Sequence, residues 1–211
     1  MILGFDIDGT FGHYYGGQGN GLRDYCGTKF GIPTEELMTS YPTPSSYNLW
    51  ECGWKNMTSF EEFWALHLEA VRDGIFAKMD VYDHAVEVMH RLKDAGHTIV
   101  MVTARDLGEE LAEKVLEDTM TFFTRHNIPF DELVITNVKT GVVADLFVDD
   151  APHNVEQLRA VGRDVVTFDQ SYNRHLDGMR ASNWLELEEI INDLEAARQD
   201  MLAPVRHLSV A

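Results

Sequence analysis

Asp6 and Asp8 are the first residues in this chain whose types and spacing could do chemistry. They lie in Met1-Ile2-Leu3-Gly4-Phe5-Asp6-Ile7-Asp8-Gly9-Thr10, where a short apolar run ends abruptly in two carboxylates spaced i, i+2. A continuous apolar run bounded by a turn signal reads as a buried strand of a parallel sheet. Gly9 then lets the backbone turn sharply. Both aspartates therefore belong at the carboxyl end of a strand, where open α/β sheets hold their ligands. Neighbouring carboxylates repel, and a cation between them relieves the repulsion, so Mg²⁺ is the natural ion. An EF-hand calcium loop also begins Asp-x-Asp-Gly, but it needs a preceding helix and a Glu at its twelfth position, where this chain has Gly17. A plain acidic turn stays open on this motif alone.

Three further candidate positions follow the same logic. The run 97–102 reads as a buried strand ending at Thr103-Ala104-Arg105-Asp106. The run 133–136 reads as a short strand with Lys139 just beyond it, and 146–148 as another ending at Asp149-Asp150. A last strand is expected over 164–168, and helices over 81–95, 107–126, 155–161 and 184–201. Gly96 reads as a C-cap closing the helix that precedes it. In the helix over 107–126, Leu111, Val115, Leu116, Met120 and Phe123 form the expected inward face. Strands alternating with helices imply a parallel sheet with right-handed crossovers. All strand ends then share one edge, so residues 140 positions apart can meet. The inventory there is an acidic nest for one divalent cation, one hydroxyl and one ammonium, which suits phosphoryl transfer by positioning and charge neutralisation.

Composition bounds the class. At 211 residues the chain fits one domain plus an insertion. Its 35 acidic and 17 basic residues give a net charge of −18. That argues against duplex DNA and anionic membrane surfaces, both of which attract basic patches. An anionic substrate must then be neutralised locally, by a metal and a few placed cations. Cys26 and Cys52 show no pairing pattern, which fits a reducing compartment without excluding one disulfide. No segment approaches ~20 apolar residues and no signal peptide is evident, so a cytoplasmic protein is expected.

Residues 12–78 differ from the rest. They carry most of the glycines, a Tyr41-Pro42-Thr43-Pro44-Ser45-Ser46 loop and three of the four tryptophans. Helical patterns recur at 34–38 and 59–71, with Ser59 as N-cap, and no period-2 strand is seen. The expectation is a small helical insertion over the strand end that carries Asp6 and Asp8. Gly17-Gln18-Gly19-Asn20-Gly21 lacks the preceding strand that a dinucleotide loop needs, so a hinge is favoured.

Asp-x-Asp-Gly-Thr, a strand-end Thr, a Lys and then Asp-Asp, in that order, resemble the haloacid dehalogenase superfamily of aspartate-nucleophile phosphatases. The likeness covers 1–11 and 79–170. It implies an α/β, Rossmann-like parallel sheet with a C1-type cap, the core being 1–11 and 79–200, the cap 12–78, and 201–211 a loose tail. Phe168-Asp169-Gln170-Ser171-Tyr172-Asn173-Arg174-His175, with Arg180 and Trp184, resembles the end of the 5′(3′)-deoxyribonucleotidase branch. That branch commonly has Val at the position of Thr10. The resemblance implies Asp6 as nucleophile and Asp8 as acid and base. It implies Thr103, the amides around Ala104, and Lys139 as phosphate ligands. Mg²⁺ would be held by Asp6, the carbonyl of Asp8 and Asp149, with Asp150 as its indirect partner. It also implies a deoxynucleotide as the small phosphorylated substrate, and a homodimer stays open.

Each residue also has a plainer reading. Thr103 could cap the helix near Leu107, Lys139 could be a surface lysine, and Asp149-Asp150 could cap the helix near Asn154. Arg105 reaches substrate or pairs with Glu109. His13, His67, His153 and His175 read as surface or packing residues. Of the aromatic side chains, Phe60, Phe63 and Trp64 share a helical face and are assigned to the insertion's core, leaving Trp50 and Trp54 for a base pocket. The competing functions are a phosphatase for a sugar phosphate or phosphoglycolate, and a non-catalytic phosphate-binding module.

Overall fold

A computed structural model describes residues 1–16 and 20–202. The glycine-rich hinge expectation at 17–19 and most of the expected tail lie outside the described residues. Six parallel strands form one sheet in the order β3-β2-β1-β4-β5-β6. They are β1 (Ile2–Phe5), β2 (Thr98–Thr103), β3 (Glu132–Ile135), β4 (Leu146–Asp149), β5 (Val165–Phe168) and β6 (Arg180–Ala181). The sequence pattern indicates the first five. The two-residue β6 is too short to show any periodicity.

The helices are α1 (Leu22–Phe30), α2 (Thr34–Ser40), α3 (Phe60–Arg72), α4 (Ile75–Lys78), α5 (Ala85–Asp94), α6 (Glu109–His126), α7 (Pro152–Ala160) and α8 (Trp184–Leu202). Local chemistry sets several ends. The Ser59 hydroxyl accepts from the amide of Glu62 at the start of α3, and Pro152 opens α7. Helix α5 starts four residues later than its apolar spacing predicts. Val81 instead bridges Gly12, and the amide of Tyr82 donates to Phe11 O at 3.0 Å, so both are used as extended connections.

The face of α6 also differs from the expected one. Its buried stripe is Leu111, Val115, Asp118, Thr119, Phe122 and Phe123, while Leu116 and Met120 are exposed. The stripe keeps helical spacing but includes two polar residues. Asp118 accepts from Lys114, and Thr119 accepts from Arg105. Apolar residues alone therefore misplace the phase of the helix.

The sheet is covered on both faces. One layer gathers α5, α6 and α8 around Leu3, Phe5 and Val148, and the other packs α7 on Val100, Val102 and Phe147. Trp184 is fully buried at the centre of the first layer. Its ring lies 5.5 Å from Phe5, 5.1 Å from Phe11 and 6.1 Å from Phe168, and its indole N–H donates to Thr10 O at 3.1 Å. It thus ties the last helix to the turn behind Asp8. Among the described residues no helix is long and apolar enough to cross a membrane, and both cysteines are free. Trp184→Ala is expected to cost about 3–5 kcal/mol in urea unfolding. A loss below about 1 kcal/mol would show that this cluster does not hold α8 to the sheet.

Candidate active site

The parallel register brings the strand ends to one level. Phe5 pairs with Met101 on one side and Val148 on the other, so Asp6 and Asp149 leave adjacent strands at the carboxyl edge. The turn behind Asp8 is tight. Gly9 has φ +85°, and a Cβ there would collide with the Asp150 carboxylate.

Lys139 lies at the middle of the edge. It is buried, donating to Asp6 Oδ1 at 2.6 Å and to Asp149 Oδ2 at 2.7 Å. It is not a surface lysine. Asp149 also accepts from the amide of Ala151 at 2.9 Å and from the side chain of Asn154. Asp150 accepts from the Thr10 hydroxyl at 2.9 Å and from the Tyr172 hydroxyl. Carboxylate oxygens of Asp6, Asp149 and Asp150 all lie within 4.8 Å of one another.

One ammonium cannot balance three buried carboxylates. Burial raises Asp6 to about 7, with Lys139 opposing and Asp149 and Asp8 adding to the rise. Burial also raises Asp150, with Asp6 and Asp149 adding to it. Burial alone would lower Lys139, but Asp149 and Asp6 hold it above the ordinary lysine value. A hard divalent cation relieves this set better than protons do, so the residues present fit Mg²⁺. The Asp8 carboxylate is not part of the cluster.

Thr103 is fully buried, and its hydroxyl has no hydrogen-bond partner. It caps nothing, because α6 starts only at Glu109, behind Gly108. Arg105 does not pair with Glu109. Its guanidinium takes both oxygens of Asp8, Nε to Oδ2 at 2.8 Å and Nη2 to Oδ1 at 2.7 Å.

A cavity of about 570 Å³ opens onto Asp6, Asp8 and Ala104. Lys139, Asp149, Asp150 and Thr103 are not part of its lining. The wall is aromatic: Tyr14, Tyr15 and Tyr47, then Trp50, Phe60, Phe63, Trp64 and Phe76. The expected division of these side chains is partly reversed. Trp50 lines the cavity. Trp54 is 1% exposed, donates to Pro42 O at 2.6 Å and packs on Tyr41, so it belongs to the core. Phe60, Phe63 and Trp64, expected to be core, line the cavity, and half of Phe60 remains exposed. Phe63 also packs against the core, and the buried His67 and Val71 continue the same face of α3 toward its C-terminus.

Two of the four histidines given only surface or packing roles are also in the wall, His67 and His153. The Tyr14 hydroxyl lies 2.5 Å from His67 Nδ1, and burial lowers His67 to about 4, which keeps it neutral near pH 7. Tyr172 has a site role that its sequence motif alone did not reveal. The signal was the Phe168–His175 stretch itself, whose chemistry needs the fold to be seen.

The family model described as 5′ nucleotidase, deoxy (pyrimidine), cytosolic type C protein matches residues 1–199. A provisionally named 5′(3′)-deoxyribonucleotidase of Chlorobaculum tepidum is 30% identical over 192 residues, 90% of each chain. A 5′(3′)-deoxyribonucleotidase of Bacillus subtilis is 28% identical over 115 residues, 54% of this chain and 63% of that protein. A haloacid dehalogenase-like hydrolase of Streptococcus pneumoniae superposes with a TM-score of 0.55 at 12% identity, over 90% of this chain and 97% of its own, a likeness of fold.

The raised Asp6 carboxyl has a consequence for stability. The folded chain holds that proton more tightly than the unfolded chain does. The contribution is therefore full below the ordinary carboxylate range and lost as pH rises through about 7. Asp6→Asn, uncharged at every pH, is expected to unfold at a higher temperature than the wild type at pH 7.5 in EDTA, with the gap closing at pH 4.5. An Asp6→Asn protein less stable than the wild type at pH 7.5 would contradict this reading of the carboxylate cluster.

Proposed function

We propose that this chain, which belongs to the deoxy (pyrimidine), cytosolic type C 5′ nucleotidase family, removes the phosphate of deoxyribonucleoside monophosphates with Mg²⁺. It is a phosphoric monoester hydrolase of the haloacid dehalogenase type. The observation that carries the substrate reading is the aromatic cavity opening directly onto Asp6 and Asp8. Stacking a base on an aromatic side chain contributes about 1–3 kcal/mol, and this wall offers Trp50, Phe60, Phe63, Trp64 and three tyrosines. The names of the Chlorobaculum tepidum and Bacillus subtilis relatives support the same substrate class.

The site supports the following chemistry. An oxygen of Asp6 attacks phosphorus and forms an aspartyl-phosphate as the ester P–O bond breaks. The bonding pair goes to the leaving oxygen, which takes a proton from Asp8. Asp8, now a carboxylate, takes a proton from water, and that water attacks phosphorus and frees Asp6. The Thr103 hydroxyl and the amides beside Ala104 hold phosphoryl oxygens, and Lys139 offsets charge on Asp6 and on the phosphate. Mg²⁺ held by Asp6, the carbonyl of Asp8 and Asp149, with Asp150 beside it, would supply charge neutralisation for the transferred group. The tail and the oligomeric state play no part in this reading.

The test is a hydrolysis panel of deoxynucleotides, ribonucleotides, sugar phosphates, phosphoglycolate and p-nitrophenyl phosphate, run with Mg²⁺ and with EDTA. Deoxynucleotides should lead, and EDTA should silence every reaction. Asp6→Asn should lower kcat at least ~10⁴-fold, since an amide cannot form the acyl-phosphate. Wild-type activity in Asp6→Asn would end the mechanism. Preference for a sugar phosphate would end the nucleotide reading and leave the phosphatase.

Within the panel, Trp50→Ala should lower kcat/KM for a deoxynucleotide far more than for p-nitrophenyl phosphate, whereas Trp54→Ala should lower thermal stability and both activities together. Equal losses in the two variants would remove Trp50 from the base pocket.

A further inference from the structure

We propose that Arg105 is the positioning residue for the Asp8 carboxylate, and that α4 sets its place through Phe76. This rests on the reading of Asp8 as acid and base. Arg105 follows the strand-end Thr103-Ala104, a place where a substrate-binding cation would be expected. Its side chain is nevertheless only 1% exposed. All three guanidinium nitrogens are engaged, Nε and Nη2 on the two oxygens of Asp8 and Nη1 on Thr119 Oγ1 at 2.8 Å. One face of the group is covered as well, with its central carbon 4.0 Å from the centre of the Phe76 ring.

A bidentate fork fixes the plane of a carboxylate, which a lysine cannot do. Thr119 on α6 and Phe76 on α4 fix the fork in turn, through a hydrogen bond and a cation–π contact. The Asp8 side chain keeps 22% of its surface open and, with Arg105, borders the cavity. The arrangement matches the two proton transfers. As the proton leaves Asp8 for the leaving oxygen, negative charge develops on the carboxylate, and the guanidinium is already in place to receive it. Asp8 then needs the same orientation to accept a proton from water. The last helix before the chain returns to the core, α4, thereby helps to orient the catalytic acid.

The experiment compares Arg105→Met and Phe76→Leu, each alone and combined with Asp8→Asn, on a deoxynucleoside 5′-monophosphate and on p-nitrophenyl phosphate. The first substrate leaves as an alkoxide and needs the proton from Asp8, whereas nitrophenolate departs without one. Arg105→Met should lower kcat for the nucleotide about tenfold or more beyond its effect on p-nitrophenyl phosphate, with KM changed less than about threefold. In the Asp8→Asn background the same substitution should cause no further loss, because its effect passes through Asp8. Phe76→Leu should shift both readouts in the same direction by less.

A rise in KM with kcat unchanged would make Arg105 a substrate ligand and overturn the proposal. So would losses that multiply with those of Asp8→Asn. Should Arg105→Met fail to fold, Phe76→Leu and Thr119→Val decide by the same comparison. Full activity in Asp8→Asn would overturn the acid–base reading itself, an outcome distinct from the others.

Discussion

Much of the structure follows from one ion-pair arrangement, the buried Lys139 ammonium shared by Asp6 and Asp149. Burying charges in a protein interior is costly unless each finds a partner. Each carboxylate at this edge does. Asp150 takes hydroxyls from Thr10 and Tyr172, and Asp8 takes the Arg105 fork. The partners come from positions as far apart as Thr10 and Tyr172, so only a sheet whose strands all point the same way can assemble them. The tight turn at Gly9 is part of the same constraint, since any larger residue would displace the Asp150 carboxylate.

The charge at this edge is only partly balanced. A fully neutralised cluster would have no call for a cation, and an unneutralised one would oppose folding. Three carboxylates with one ammonium lie between these limits, and burial holds the Asp6 and Asp150 carboxyls above the ordinary carboxylate range. The net charge of −18 therefore misleads if it is read as a property of the site. The two basic residues of the edge are placed where the acidic excess would otherwise be greatest.

Residues 12–78 and the sheet edge interlock at several points. Ser171 donates to Pro44 O, Tyr172 stacks edge-on against Tyr15 and Tyr47, and Phe76 covers Arg105. Tyr172 is notable because one residue both donates to Asp150 and supports two tyrosines of the cavity wall. The wall and the acidic cluster are consequently held by common side chains, although their residues are remote in sequence.

The sequence by itself determined the parallel α/β class, five of the six strands and the order of the edge residues Asp6, Asp8, Thr103, Lys139, Asp149 and Asp150. Those features are local: an apolar run ending in a polar residue marks a strand end wherever it occurs. Tertiary structure alone decided which side chains face each other. Trp50 and Trp54 have similar composition around them, yet one lines the cavity and the other is core. The α3 aromatics share a helical face, but only the packing of α3 decides whether that face meets the core or the cavity. Arg105 pairs with Asp8 across 97 residues rather than with nearby Glu109, and α6 buries Thr119 because Arg105 needs it. Short-range pattern reports the period of an element, whereas the partner of a buried charge is set by which elements the fold brings into contact.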